Sequence, residues 1–216
     1  RSEHALGNVI QNITLMLEGN AQRFADRVVY QQQNAAGDYV GIVWKDLFND
    51  VKNIAANLKS FGFKQGDKVV FFAQNSQRML EFELAVMASG GIAVPIFAFF
   101  KQETANLLIN HSEARFLVVA GDYQLQQLDN NPKIEHKFSL DEVDAERYPD
   151  VIPFSKMVVE HPDKEQALDR ELKADDLCLY MYTSGTMGTP KCVQLMHRNI
   201  LSQQAALATL WDLNEN

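Results

Sequence analysis

Nine consecutive residues near the end of the chain have side chains suited to holding an anion. Thr183, Ser184, Gly185, Thr186, Met187, Gly188, Thr189, Pro190 and Lys191 combine hydroxyls, two glycines and a lysine. Glycine lets backbone N–H groups turn inward, and Ser or Thr hydroxyls add donors, so such a concavity suits a phosphate oxyanion. Lys191 adds a compact positive charge. The spacing is not that of a Walker A loop, because Pro190 stands where the second glycine should be. It is not a GxGxxG dinucleotide fingerprint either. A flexible polar loop joining two strands is the plainer reading of the same composition.

No other cluster competes with it. Cys178 and Cys192 are the only cysteines, which is too few for a disulfide framework and reads as two reduced thiols. The histidines, at 4, 111, 136, 161 and 197, are scattered and match no zinc pattern. With 20 basic and 28 acidic residues the formal net charge is −8, which argues against nucleic acid as a non-specific partner. The longest apolar runs, such as Gly90–Phe100, fall far short of the ~20 residues a transmembrane helix needs. The first residues, Arg1-Ser2-Glu3-His4, have no apolar core behind them, so no secretory signal is read and a cytoplasmic location is expected.

The elements that must position the loop follow from periodicity. Thr14–Ala25 has loose helical spacing. Two β-rich runs, Arg27–Gln33 and Tyr39–Trp44, flank the turn cluster Asn34–Asp38 and read as a hairpin. Leu47, Val51, Ile54, Ala55 and Leu58 form one face of an amphipathic helix, with Gly62 as its C′ residue. Strands at Lys68–Ala73, Ile92–Phe97 and Arg115–Ala120 then alternate with three helices. The first is capped by Asn75 or Ser76 and runs to Ser89, the second covers Thr104–Ser112, and the third runs from Gly121 to Leu128. This alternation predicts an α/β fold with a mostly parallel sheet flanked by helices. Between Ser139 and Asp176 the pattern weakens over 12 acidic and 5 basic residues, which reads as a solvated segment with short elements. Leu177–Tyr182 is a strand, the loop lies between it and a second strand, and a helix runs from Arg198 or Asn199 to Asp212.

The order of residues adds to this reading. Tyr-Thr-Ser-Gly-Thr-Met-Gly-Thr-Pro-Lys, followed by Val-x-Leu-x-His-x-Asn, closely resembles the phosphate-binding signature of the adenylate-forming enzymes. These include acyl-CoA synthetases, luciferases and the adenylation domains of peptide synthetases. Two positions depart from the family pattern: Met187 stands where Thr is usual, and Cys192 where Gly is usual. Met187 removes one phosphate donor, and Cys192 adds a side chain beside the lysine. Leu58–Val69 and Met87–Ile96 are similar to scaffold segments of the family, and Asn20–Tyr30 looks most like acyl-CoA synthetases for fatty or other lipophilic acids.

The resemblance implies a two-step ligase. A carboxylate attacks the α-phosphorus of ATP and expels pyrophosphate, and the acyl group then passes to the thiol of coenzyme A. ATP, Mg²⁺ and coenzyme A are the implied cofactors, and a small carboxylic acid, of fatty-acid type, is the implied partner. Thr183, Ser184, Gly185, Thr186, Gly188 and Lys191 map onto positions that grip the β- and γ-phosphates, with Thr183 the hydroxyl nearest Mg²⁺. His197 maps either near the carboxylate or nucleotide pocket or onto a helix-start residue that bonds backbone. The family's later nucleotide segments, hinge and C-terminal catalytic lysine have no counterpart in residues 1–216. The chain therefore reads as an incomplete N-terminal portion of the AMP-binding domain, inactive alone. The competing expectation is a stand-alone nucleotide- or acyl-binding module.

Overall fold

The computed structural model describes residues 9–129, 132–183 and 190–210. In chain order these form α1 (Ile13–Arg23), β1 (Val28–Gln33), β2 (Tyr39–Val43), α2 (Trp44–Ser60), β3 (Lys68–Phe72), α3 (Gln77–Ala88), β4 (Ile92–Ile96) and α4 (Gln102–Ser112). They continue with β5 (Phe116–Val119), α5 (Asp122–Leu125), β6 (His136–Ser139), β7 (Val151–Pro153), α6 (Phe154–Met157), β8 (Leu177–Thr183), β9 (Lys191–Met196) and α7 (His197–Leu210).

Seven strands make one sheet in the order β7-β6-β5-β3-β4-β8-β9, parallel throughout except for the antiparallel pair β8–β9. β1 and β2 form a separate antiparallel hairpin around the expected turn at 34–38. The central strand shows why the sheet is covered on both faces. Val69, Val70, Phe71 and Phe72 are all fully buried. Alternate side chains point to opposite faces, so Val69 and Phe71 join one apolar cluster while Val70 and Phe72 join another. The first cluster holds Leu47, Val51, Ile54 and Leu58 of α2 with Phe82 and Val86 of α3. The second holds Ala105, Leu108 and Ile109 of α4. Helices on both faces of a mostly parallel sheet are what the strand–helix alternation requires.

Local signals fall where the sequence puts them. Ser76 caps α3, its hydroxyl accepting from the Met79 N–H at 3.2 Å. Gly62 follows α2 with φ +78°, the left-handed conformation that glycine adopts without penalty. Gly91 is a close-approach glycine: a Cβ there would stand 2.3 Å from Cζ of Phe63.

Several features differ from expectation. The helix expected from Gly121 to Leu128 is regular only over Asp122–Leu125. The last helix begins one residue early, at His197. The acidic stretch is more ordered than its composition suggests, because β6 reaches into its start and β7 lies within it. It is also strapped to α2: the Asn57 amide donates to the carbonyls of Met157 and Val159, both at 3.1 Å. No described helix is long and apolar enough to cross a membrane.

Candidate functional site

β3, β4 and β8 run parallel, so their carboxyl ends open on the same side of the sheet. From β4 the chain returns across β3 to β5, whereas from β8 it turns outward to β9. Connections that diverge in this way leave a crevice beyond the strand ends, the usual ligand position in an open α/β sheet. A cleft of about 380 Å³ lies there. Its wall is formed by Ala73–Asn75 after β3, Pro95–Phe99 at and after the end of β4, Met79 of α3, and Met181 and Tyr182 of β8. The wall is largely apolar, and its rim carries exposed rings. Phe97 and Phe99 are 61% and 56% exposed and pack edge to face on each other at 5.6 Å between centroids.

The hairpin β8–β9 brings the sequence-derived residues to this cleft. Thr183 and Lys191 are register partners across the strand pair and close its last described rung, directly after the cleft-lining Tyr182. Both side chains are exposed. Neither has a side-chain hydrogen bond or ion pair among the described residues. Eight positions apart in sequence, a hydroxyl and an ammonium thus stand opposite each other at the mouth of an apolar cleft. Ser184, Gly185, Thr186 and Gly188 lie outside the described residues, as do Met187 and the reading of this stretch as a flexible polar loop.

His197 is placed elsewhere. It is fully buried, and its Nδ1 accepts from the backbone N–H of Ile13 at 3.4 Å. Its own N–H donates to the Asp176 carbonyl at 3.1 Å. Burial lowers its pKa, so the ring is the neutral imidazole that such an acceptor role needs. Nε2 has no partner among the described residues, and the ring does not line the cleft. The contacts are those of a helix-start residue that joins α7 to the start of α1.

The two cysteines differ. Cys178 is fully buried, and burial pushes its thiol up to about 12, which keeps it inert. Cys192 is half-buried and is the register partner of Tyr182. Burial raises its pKa as well, partly offset by Lys68. Both thiols are free. No group of three or more His, Cys, Asp or Glu among the described residues is arranged to hold a metal. Mg²⁺ typically keeps several waters and binds through one or two protein oxygens plus substrate phosphates. Thr183 offers an exposed hydroxyl oxygen.

Sequence reasoning missed Asn75, Met79, Phe97 and Phe99 as site residues, and also His111, which meets Tyr182 from α4. The available signal for the first four was position: each follows or adjoins the carboxyl end of a strand of the parallel sheet.

Comparison with known proteins fits this geometry. The profile of the AMP-binding enzyme family matches residues 17–216. A fatty acyl-CoA synthetase A of Dictyostelium discoideum is 26% identical over 182 residues, covering 78% of this chain and 26% of that protein. A crotonobetaine/carnitine–CoA ligase of Proteus mirabilis is 27% identical over 197 residues, covering 88% and 37%. The crystal structure of an acyl-CoA synthetase from Brucella canis superposes with a TM-score of 0.72 at 18% identity, covering 95% of this chain and 37% of that one. The chain thus spans between about a quarter and two fifths of the length of these relatives.

Proposed function

Because the chain belongs to the AMP-binding enzyme family, we propose that the end of the β8–β9 hairpin grips the β- and γ-phosphates of ATP. The protein carrying this chain then activates a carboxylic acid as its acyl-adenylate and passes the acyl group to the thiol of coenzyme A. One observation carries the reading: Thr183 and Lys191 stand opposite each other, exposed, where the hairpin borders the carboxyl-end cleft.

The difficulty in the first step is charge, since a carboxylate must approach a polyanion. Lys191 contributes a full positive charge to the departing pyrophosphate, where charge grows in the transition state. By the family resemblance, Ser184, Gly185, Thr186 and Gly188 belong to the same phosphate grip. Thr183 would hold Mg²⁺ together with the phosphates, and the ion supplies further charge neutralisation. The apolar wall beside the hairpin favours a lipophilic acid. This is supported by the relatives named for fatty acyl substrates, although one relative is named for the polar crotonobetaine and carnitine.

Residues 1–216 alone form no acyl-adenylate in this reading, because they hold phosphates without the groups that orient adenine, ribose and the reacting carboxylate. Orientation is worth ~7–11 kcal/mol of barrier. The test is calorimetric titration of the 216-residue chain with inorganic tripolyphosphate and with MgATP. Binding that Lys191→Ala weakens supports the phosphate role. Binding unchanged in Lys191→Ala overturns it. Carboxylate-dependent pyrophosphate release by the chain alone would overturn the inactivity.

A further inference from the structure

The β8–β9 hairpin joins the rest of the sheet through β8, which runs parallel beside β4. β8 and β4 share a single register pair, Ala93 with Leu179, and β9 is the sheet edge. In that register Tyr182 lies level with Ile96, the last residue of β4, and Thr183 is the first residue past it. Thr183 and Lys191 thus stand where β4 no longer flanks the hairpin, and their position depends on what holds the preceding residue, Tyr182.

Tyr182 packs against the apolar cluster of β3, β4 and α4, and its phenol adds a polar restraint. The Tyr182 phenol lies 2.8 Å from Nδ1 of His111 and 3.5 Å from the carbonyl oxygen of Leu108. The two rings meet edge to face, with centroids 5.6 Å apart and planes at 74°. His111 stands in the last turn of α4, and that helix is anchored by the buried Leu108 and Ile109. Cys192, the register partner of Tyr182, places the second strand against the same side chain.

His111 adds hydrogen bonding rather than apolar burial to the packing of the Tyr182 ring. His111 is exposed, so replacing it with an apolar residue would bury little. The bond also survives either imidazole tautomer. If the phenol donates to Nδ1, the ring proton sits on Nε2; if the phenol donates to the Leu108 carbonyl, Nδ1–H donates to the phenol oxygen.

We infer that His111 is a positioning residue for the phosphate-gripping hairpin: by holding the Tyr182 phenol, it fixes where Thr183 and Lys191 meet the phosphates. It acts through Tyr182 and touches no reacting atom. The inference rests on the phosphate reading of the hairpin.

The test is tripolyphosphate titration of the 216-residue chain in wild-type form and as His111→Leu, Tyr182→Phe, the double variant, His111→Asn and Lys191→Ala. His111→Leu and Tyr182→Phe are each expected to weaken binding about three- to tenfold, the equivalent of one net hydrogen bond. The double variant is expected to be no weaker than either single one, because both remove one device. His111→Asn, whose amide nitrogen or oxygen reaches the position of Nδ1, is expected to recover wild-type affinity within about twofold, which a merely structural role would not produce. Both single variants binding like wild type while Lys191→Ala does not would overturn the inference and leave the phosphate reading intact. Additive effects in the double variant would also overturn it. If wild type and Lys191→Ala bind alike, the phosphate reading fails. The inference is then decided by amide hydrogen exchange at Thr183 and Cys192. Faster exchange in His111→Leu that His111→Asn restores supports the restraint, and unchanged exchange overturns it.

Discussion

Two grooves on this molecule gather chemically capable side chains, and the larger has the less suitable chemistry. The groove between α2 and residues 160–167 measures about 560 Å³, against about 380 Å³ for the carboxyl-end cleft. It holds Ser60, His161 and Asp163, the residue types of a hydrolase triad. Ser60 Oγ is 3.2 Å from His161 Nε2, and an Asp163 carboxylate oxygen is 4.0 Å from Nδ1. The proton nevertheless runs the wrong way. The backbone N–H of Asp163 donates to Nδ1 at 3.1 Å, so Nδ1 carries a lone pair and Nε2 carries the hydrogen. Nε2–H then donates to Ser60 Oγ, whose own hydroxyl points to the Ala56 carbonyl at 3.4 Å. The ring cannot take the serine's proton. Ser60 also ends α2, and the carbonyl end of a helix disfavours an oxyanion. At the cleft the donors are exposed, and neither has a side-chain partner among the described residues. The direction of donors, rather than the number of reactive residues, separates a site from a strap.

The largest expected effect tests the cleft side of this contrast. Lys191→Ala should weaken tripolyphosphate binding by about one to two decades, the worth of a hydrogen bond to a charged group at ~1.5–3 kcal/mol. Lys59→Ala, which removes a lysine lining the other groove, should leave it unchanged. Equal losses in calorimetry would erase the distinction.

The helix that reaches toward both regions gives the next effect. α3 sends Met79 to the cleft, while its Glu81 is buried and feels the charge of Asp50 on α2. Burial, and secondarily Asp50, pushes the Glu81 carboxyl up to about 7. The folded state therefore holds a proton that the unfolded state releases above its usual carboxylate range. Stability attributable to this group is full below that range and falls as pH rises from about 4.5 to about 7. Glu81→Gln keeps the amide bond with Gln77 and should stabilise the chain by about 1–3 kcal/mol at pH 8, with little change at pH 4. Denaturant melts at the two pH values check it, and equal shifts at both would refute the burial argument.

A smaller effect tests the strap. Asn57→Ala removes donors to the carbonyls of Asn53, Met157 and Val159. It should cost about 1–2 kcal/mol of stability, read by denaturant unfolding, while tripolyphosphate affinity stays at the wild-type value. The smallest effect is Ser60→Ala, which should change stability by no more than about 0.5 kcal/mol. The wild-type serine should take up no acyl group from p-nitrophenyl acetate. An acylated Ser60 peptide in mass spectrometry would show that the proton direction argued above is wrong.

The same contrast marks what the sequence could reveal. The central strands announce themselves because they are continuous apolar runs between turn residues, and the hairpin, α2 and the Ser76 cap carry local chemistry of their own. β6 and β7 do not. His136–Ser139 mixes polar residues with one large apolar side chain, Phe138. Val151–Pro153 is three residues long, ends in proline and sits in a strongly acidic context. Their pairing comes from the neighbouring strand, not from their own periodicity. At the candidate site, the strand-end placement of Thr183 and Lys191 was legible because the motif is contiguous. His111 was not, because it meets Tyr182 across 71 positions of sequence and nothing local marks it.

The strand order also sets the sequence in which the fold can be completed. β4 precedes β8, its outer neighbour, by the whole of α4, β5, β6 and β7. During synthesis from the N-terminus the outer edge of β4 therefore stays unpaired while the opposite half of the sheet is built. An open, apolar strand edge invites pairing with other chains, and pairing across long sequence separations is slow. A nascent chain halted before Leu177 is a candidate for aggregation through Ile92–Ile96. The cleft gains the β8 part of its wall only when the hairpin docks, so ligand binding and closure of the vulnerable edge arrive in the same late event.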